Sequence, residues 1–340
     1  MRYRLLGKTG LRVSEIGFGA WAIGGPFEVA GVPLGWSNTS DDDSLAAIRR
    51  ARDLGVNFFD TSDIYGLGRS ESLLGIVLSR NREKSIISTK VGNVRTAAGE
   101  FRKDFSKKHI FYAIDGSLKR LRTDYVDLYQ VHNPTISDLE NEEVQEAMEQ
   151  LQEWGKIRFW GVSVATPQDG LEVMRRGWGY TLQVLYNIIN QQPAEQLLPM
   201  AKQKNFGIIA RVPLASGLLS GKYTAETVFG TNDVRQNFLT PRRLVEAMEK
   251  IAEVKGIVSG RDPITRGSGA QVLPCRRRGI DRHPRRAQRA AGRAQRHRLR
   301  RAAPSRGRRE TPRKTGKLQL LSQALDSGVR GEGELLVVSC

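Results

Sequence analysis

Over the first 255 residues, short apolar runs alternate with amphipathic segments, and this alternation limits the fold more than any other feature. It predicts strands at Glu15–Ala20, Asn57–Thr61, Ser85–Val91, Val126–His132, Arg158–Val164, Thr181–Tyr186 and Gly207–Pro213. It predicts helices at Ser44–Leu54, Arg69–Leu78, Lys107–Leu121, Glu142–Trp154, Pro167–Arg175, Ala194–Lys204 and Pro241–Val254. Asp41, Asp42 and Asp43 precede the first helix, at the end where its dipole favours negative charge. Single crossover helices between short apolar strands require a parallel sheet. Ahead of them, Arg2–Leu6 and Arg12–Ile16 flank Gly7-Lys8-Thr9-Gly10 and read as a β-hairpin.

Two α/β architectures fit seven such units. A doubly wound sheet that holds a dinucleotide needs a glycine fingerprint after its first strand. Gly17-Phe18-Gly19 lacks the third glycine and opens no helix. A (β/α)8 TIM barrel instead carries its polar residues at the C-terminal ends of many strands, and that is the pattern here. Strand two ends in Asp60-Thr61-Ser62-Asp63-Ile64-Tyr65, strand three in Ser88-Thr89-Lys90 and strand four in Gln130-Val131-His132. In a barrel Asp60, Lys90 and His132 emerge side by side, with Tyr65 on the loop above. Each alone reads equally well as a member of a structural pair. Together they form a proton-transfer group: Lys90 favours the phenolate of Tyr65, Asp60 holds the lysine, and His132 donates to a carbonyl oxygen. No side chain donates hydride, so the chemistry implies a nicotinamide cofactor.

Composition narrows the partners. Two cysteines, Cys275 and Cys340, provide neither a disulfide framework nor a cysteine-rich metal site, and no metal is expected. No apolar run reaches membrane-spanning length and the N-terminus carries no signal-peptide pattern, so no membrane partner and a cytoplasmic location are expected. The net charge of +18 is local: of 54 basic and 36 acidic residues, 21 and 6 lie in residues 256–340, leaving 33 and 30 for the body.

The segment Gly55-Val56-Asn57-Phe58-Phe59-Asp60-Thr61-Ser62-Asp63-Ile64-Tyr65-Gly66, running on to Ser70-Glu71-Ser72-Leu73-Leu74-Gly75, resembles the first signature of the aldo-keto reductases. Asp124-Tyr125-Val126-Asp127-Leu128-Tyr129-Gln130-Val131-His132-Asn133-Pro134 is similar to the segment around that family's active-site histidine. The resemblance covers residues 1–255 and implies that Asp60, Tyr65, Lys90 and His132 are the catalytic tetrad of an NADPH-dependent enzyme. It also implies cofactor contacts. Ser163 in Gly161-Val162-Ser163 and Gln183 would hold the carboxamide, although Val164 takes the place of the family's asparagine. Arg211 stands where an aromatic residue often stacks on the nicotinamide, and its planar guanidinium can stack as well. Pro213, Leu214, Ser216, Gly217 and Lys222 belong to a segment similar to the loop that wraps the pyrophosphate. Trp21 is read as a substrate-pocket wall, with a core or surface aromatic as the alternative. The loops Gly24–Ser40 and Val94–Phe105 carry no decisive groups.

After Gly256 the alternation stops. Residues 276–313 contain 16 arginines, no lysine and two acids. One reading is an arginine-rich nucleic-acid arm. The other is a frameshift: codons for Ile280–Arg289, read one base later, give Ser-Thr-Val-Ile-Pro-Gly-Ala-Arg-Asn, which resembles the family's strand eight and the start of its adenosine-phosphate site. The frameshift is favoured. Residues 1–255 are thus expected to form the barrel of strands one to seven behind the N-terminal hairpin. Residues 256–340 are expected to be an aberrant, poorly ordered tail that disrupts the eighth strand–helix unit and leaves strands one and seven with exposed edges. The expected activity is reduction of a small-molecule aldehyde or ketone by NADPH with Tyr65 as proton donor, without a nucleic-acid partner. A cofactor-binding regulatory or sensor subunit of the same fold is the alternative, and an Arg-rich nucleic-acid binder the third.

Overall fold

Several helix starts in the structure coincide with side-chain caps. A computed structural model describes residues 1–37, 39–259 and 334–339. Ser40 accepts from the Asp43 amide at the head of Asp41–Asp53, and Ser106 from His109 at the head of Lys107–Leu121. Thr166 and Asp169 form a reciprocal capping box before Pro167–Arg176, where Pro167 occupies the first turn and needs no donor. Further helices span Arg69–Leu78, Glu142–Glu153, Leu197–Lys204 and Pro241–Ser259.

The parallel strands are Ile16–Gly19 (one), Phe58–Asp60 (two), Ile86–Val91 (three), Val126–His132 (four), Ile157–Ser163 (five), Thr181–Leu185 (six) and Gly207–Arg211 (seven). Neighbours pair in sequence order, with Gly19 opposite Asp60, Asp60 opposite Ser88, Lys90 opposite Gln130, His132 opposite Ser163, and Leu185 opposite Arg211. All seven residues of strand four are buried, as expected of a strand covered on both faces.

The expected exposed edges are corrected by the structure. Glu334–Ser339 runs antiparallel between strands seven and one and closes the barrel, pairing Val338 with Ile209 and Leu335 with Phe18. A Leu-Leu-Val-Val run suits a strand, and two free edges offer it hydrogen-bonding groups along both sides. The eighth position is therefore filled by Glu334–Ser339, running opposite to the other seven strands. The expected division at residue 255 concerns a tail that, apart from residues 256–259 and 334–339, lies outside the described residues.

Side-chain alternation sorts the interior into layers. Residues such as Phe59, Ile87, Tyr129, Val162 and Leu182 point outward and pack with Leu74, Ile114 and Met148 of the helices. Phe58, Leu128 and Ile209 point inward and join Leu6 and Val13, so the hairpin Tyr3–Leu5/Arg12–Ser14 plugs the N-terminal mouth with apolar side chains. Burying each such side chain contributes about 1.5–3 kcal/mol. Two residues further along the same inward faces, the chemistry changes to Asp60, Lys90, Gln130, Ser163, Gln183 and Arg211. The barrel is dry at one end and polar at the other.

Candidate active site

Strand register brings the expected tetrad together. The Lys90 ammonium, fully buried, donates to Asp60 Oδ2 at 2.6 Å and to the Thr61 carbonyl at 2.7 Å, and stands 3.5 Å from the Tyr65 hydroxyl. Burial works against that charge, but Asp60 and Tyr65 outweigh it and hold the lysine above its ordinary value. Asp60 is held in turn: its Oδ1 accepts from Ser88 Oγ and from Gln130 Nε2, each at 3.0 Å. Sequence reasoning missed Gln130 as a site residue; its place two before His132 on an inward-facing strand was the available signal.

Tyr65 lies between two rings. Trp21 stacks beside it with centroids 6.0 Å apart, and His132 meets it edge-on at 6.0 Å. His132 is buried, and burial followed by the charges of Lys90, Lys103 and Arg211 lowers its pKa well below the usual value, so the ring is neutral. Lys103 reaches over from the ribbon Asn93–Arg95/Phe101–Lys103 and donates to the carbonyls of His132 and Asn133, fixing the end of strand four.

These groups line a cavity of about 280 Å³. Trp21, Phe27, Leu34, Ile64 and Phe101 form apolar walls, and Tyr65, His132, Asn133, Ser163, Gln183 and Arg211 are among its polar lining. Two expectations change here. The loops Gly24–Ser40 and Val94–Phe105 contribute cavity wall, through Phe27, Leu34 and Phe101; isolated aromatics in irregular segments give no periodic signal. Val164 is buried in the core, whereas Asn133 turns its side chain to Ser163 Oγ at 3.3 Å from a left-handed backbone at φ 53°. Asn133 thus supplies a side-chain amide beside Ser163, next to the place where the resemblance finds none.

The groups at strands five to seven suit a carboxamide. Gln183 is 2% exposed, and its Nε2 has no hydrogen-bond partner among the described residues although the side chain lines the cavity. Ser163 Oγ stands 3.4 Å from Gln183 Oε1, and Arg211 Nη2 3.4 Å from the Val164 carbonyl. A bound carboxamide oxygen would satisfy Nε2, and its N–H groups would find acceptors in the same cluster. The loop after strand seven leaves the cavity wall at Val212. Val212, Ala215 and Ser216 adopt φ of 56°, 49° and 56°, and Gly217 follows at 91°. A β-branched residue in that region is strained, and the loop folds on itself, the amides of Ala215, Gly217 and Leu218 donating to the carbonyls of Val212, Leu214 and Ala215. Pro213 and Ser216 are buried, Leu214 and Gly217 half-buried, and Lys222 is exposed at the end of the loop.

Comparison with known proteins agrees with this geometry. The model of the Aldo/keto reductase family matches residues 15–260. Aldo-keto reductase YhdN of Bacillus subtilis is 33% identical over 265 residues, covering 75% of this chain and 77% of that protein. The aldo-keto reductase AKR11C1 from Bacillus halodurans, solved in its holo form, is 31% identical with a TM-score of 0.59, over 78% of this chain and 93% of the other. An aldo-keto reductase from Klebsiella pneumoniae in complex with NADPH is 29% identical with a TM-score of 0.52, over 64% and 70% of the two chains.

Proposed function

The chain belongs to the aldo/keto reductase family, and from that premise we propose that it reduces a small-molecule aldehyde or ketone to an alcohol with NADPH, Tyr65 being the proton donor. The observation that carries the reading is one ammonium, Lys90, held between Asp60 at 2.6 Å and the Tyr65 hydroxyl at 3.5 Å beside a cavity of about 280 Å³. Such a cation favours the phenolate left after Tyr65 gives up its proton. When bound, the cofactor supplies the hydride. Tyr65 delivers its hydroxyl proton to the developing alkoxide oxygen, and Lys90, kept charged by Asp60, steadies the phenolate. His132, neutral in its buried setting, offers one N–H to the carbonyl oxygen. Trp21, Phe27, Leu34 and Phe101 exclude water from the reacting carbon, which favours an apolar carbonyl compound.

Gln183, Ser163 and Asn133 would hold the carboxamide, Arg211 the nicotinamide face, and the loop from Pro213 through Leu214, Ser216 and Gly217 to Lys222 the pyrophosphate. The relative bound to NADPH supports the choice of cofactor. The complete tetrad favours turnover over a purely regulatory role. Among the described residues no helix is long and apolar enough to cross a membrane.

Fluorescence titration with NADPH and NADH tests the cofactor, and alcohol formation from an aromatic aldehyde tests the reaction. NADPH-selective binding with alcohol formation is expected. If the chain binds neither cofactor but does so once the frame after residue 256 is shifted by one base, the reductase reading holds and the loss belongs to the tail. Failure of both chains overturns it.

A further inference from the structure

His132 is neutral, so it has one ring proton to place on two nitrogens, and only a proton on the nitrogen facing the cavity can assist a carbonyl oxygen. Its Nδ1 is taken by Ser62, whose Oγ lies 3.2 Å away. The same fully buried hydroxyl donates to Asp63 Oδ1 at 3.0 Å. Nε2 is therefore the nitrogen left for a ligand. We propose that Ser62 and Asp63 are positioning residues that set the tautomer of His132, so that the N–H faces the substrate only when Asp63 carries a proton.

Ser62 has one hydroxyl hydrogen. While Asp63 is ionised, that hydrogen points at Asp63, and Ser62 Oγ must accept from His132 Nδ1–H, which leaves Nε2 bare. When Asp63 is protonated, its hydroxyl donates to Ser62, Ser62 donates to Nδ1, and the imidazole proton sits on Nε2. The exchange balances: a proton taken up at Nε2 is matched by one leaving Nδ1 to Ser62 and one leaving Ser62 to Asp63.

The surroundings of Asp63 favour such a switch near neutrality. Burial of its carboxyl and then the charge of Glu71 push the pKa up to about 7, against the hydrogen bonds from Ser62 and the Ile64 amide and the charge of Arg120. Glu71 is buried, receives Thr89 Oγ1 at 2.6 Å and pairs with Arg120 at 2.6 Å. Tyr129, also facing this group, is pushed well above the usual phenol value by burial and then by Asp63 and Glu71. On the other side His132 meets the Tyr65 ring, and burial, then the charges of Lys90, Lys103 and Arg211, disfavour its imidazolium form.

The proposal rests on the reductase reading only for the use made of the Nε2 proton; the tautomer is observable without turnover. The test is nitrogen NMR of histidine-labelled protein from about pH 5.5 to about pH 8.5, with the His132 signal assigned by its loss in His132→Asn. The expected result is a change from Nε2–H at low pH to Nδ1–H at high pH, centred near the Asp63 titration and lost in Ser62→Ala. Ser62→Thr, which keeps the hydroxyl, restores it. In parallel, kcat/KM for carbonyl reduction is expected to fall up to about a hundredfold above that pH, by loss of one donor, and to show no such break in Ser62→Ala. A single tautomer throughout, conversion to imidazolium, or an unchanged switch in Ser62→Ala overturns the proposal. A switch present in a protein that reduces no carbonyl upholds the relay and overturns the reductase reading.

Discussion

The two halves of the polar rim are built differently. At strands two to four the contacts onto Asp60 and Lys90 are short: Lys90 to Asp60 at 2.6 Å, Lys90 to Thr61 at 2.7 Å, Gln130 to Ser88 at 2.7 Å, and two bonds of 3.0 Å onto Asp60, with Gln130 Oε1 alone of these groups lacking a partner among the described residues. At strands five to seven they are long, 3.3 Å from Ser163 to Asn133, 3.4 Å from Ser163 to Gln183 and 3.4 Å from Arg211 to Val164, and Gln183 Nε2 is buried without a partner among the described residues. The first half is organised before anything binds, as catalysis by fixed dipoles and charges requires. The second has bonding capacity in reserve, and a ligand with a planar amide completes it. Stability and catalysis should therefore respond to mutation in the first half, and affinity in the second.

The largest effect is expected from Lys90→Met. It strands the buried Asp60 carboxylate, and removal of one partner of a buried ion pair costs about 3–5 kcal/mol. Urea denaturation should show that loss, with most of it recovered in the Asp60→Leu/Lys90→Met double variant. Gln130→Leu should cost about 1–3 kcal/mol in the same assay, because a charged acceptor loses a buried donor. If either variant proves neutral, the first half is not preorganised. In the second half the pattern inverts. Gln183→Leu should leave the unliganded protein as stable as before, while NADPH affinity falls by roughly 1 kcal/mol, or about fivefold; a large stability loss there would erase the contrast.

A further test is a pH dependence. Asp63 has a folded pKa near 7, above the 3.8 of the free side chain. The folded state therefore holds a proton that the unfolded chain has released, and this stability is present at low pH and lost as pH rises through about 7. His132 has the opposite sign of proton balance: its depressed pKa makes the unfolded chain the better base, so its contribution is lost as pH falls below 6.5. Asp63→Asn should therefore gain stability relative to the parent as pH rises from about 4 to about 8. Denaturation at both ends of the range checks this, and a difference independent of pH would contradict the buried setting of the carboxyl.

Much of this rim could be read from the chain. Asp60, Lys90 and His132 end successive apolar strands, and the period of two puts Asp60 above Phe58 and Lys90 above Ser88 without further knowledge. What escaped was set by register and by loops. Gln130 shares the inward face of strand four with His132, but its role comes from reaching Asp60 and Ser88 across two strands, which only the register shows. Asn133 reaches Ser163 through a left-handed turn, a conformation that asparagine tolerates but does not announce. Phe27, Leu34 and Phe101 come from loops without periodicity. The closing strand was missed for a topological reason: alternation predicts only the parallel partner that a crossover helix delivers, and Glu334–Ser339 enters antiparallel.

The most direct test of the account is NADPH oxidation with an aromatic aldehyde by the parent and by Tyr65→Phe, with cofactor affinity measured on both. Removing the phenolic proton while leaving strands five to seven untouched should lower kcat by about 10²–10⁴-fold and leave NADPH affinity unchanged. Equal turnover by the two proteins, or NADPH binding lost together with the hydroxyl, would contradict a rim divided into a proton-transfer half and a cofactor-binding half.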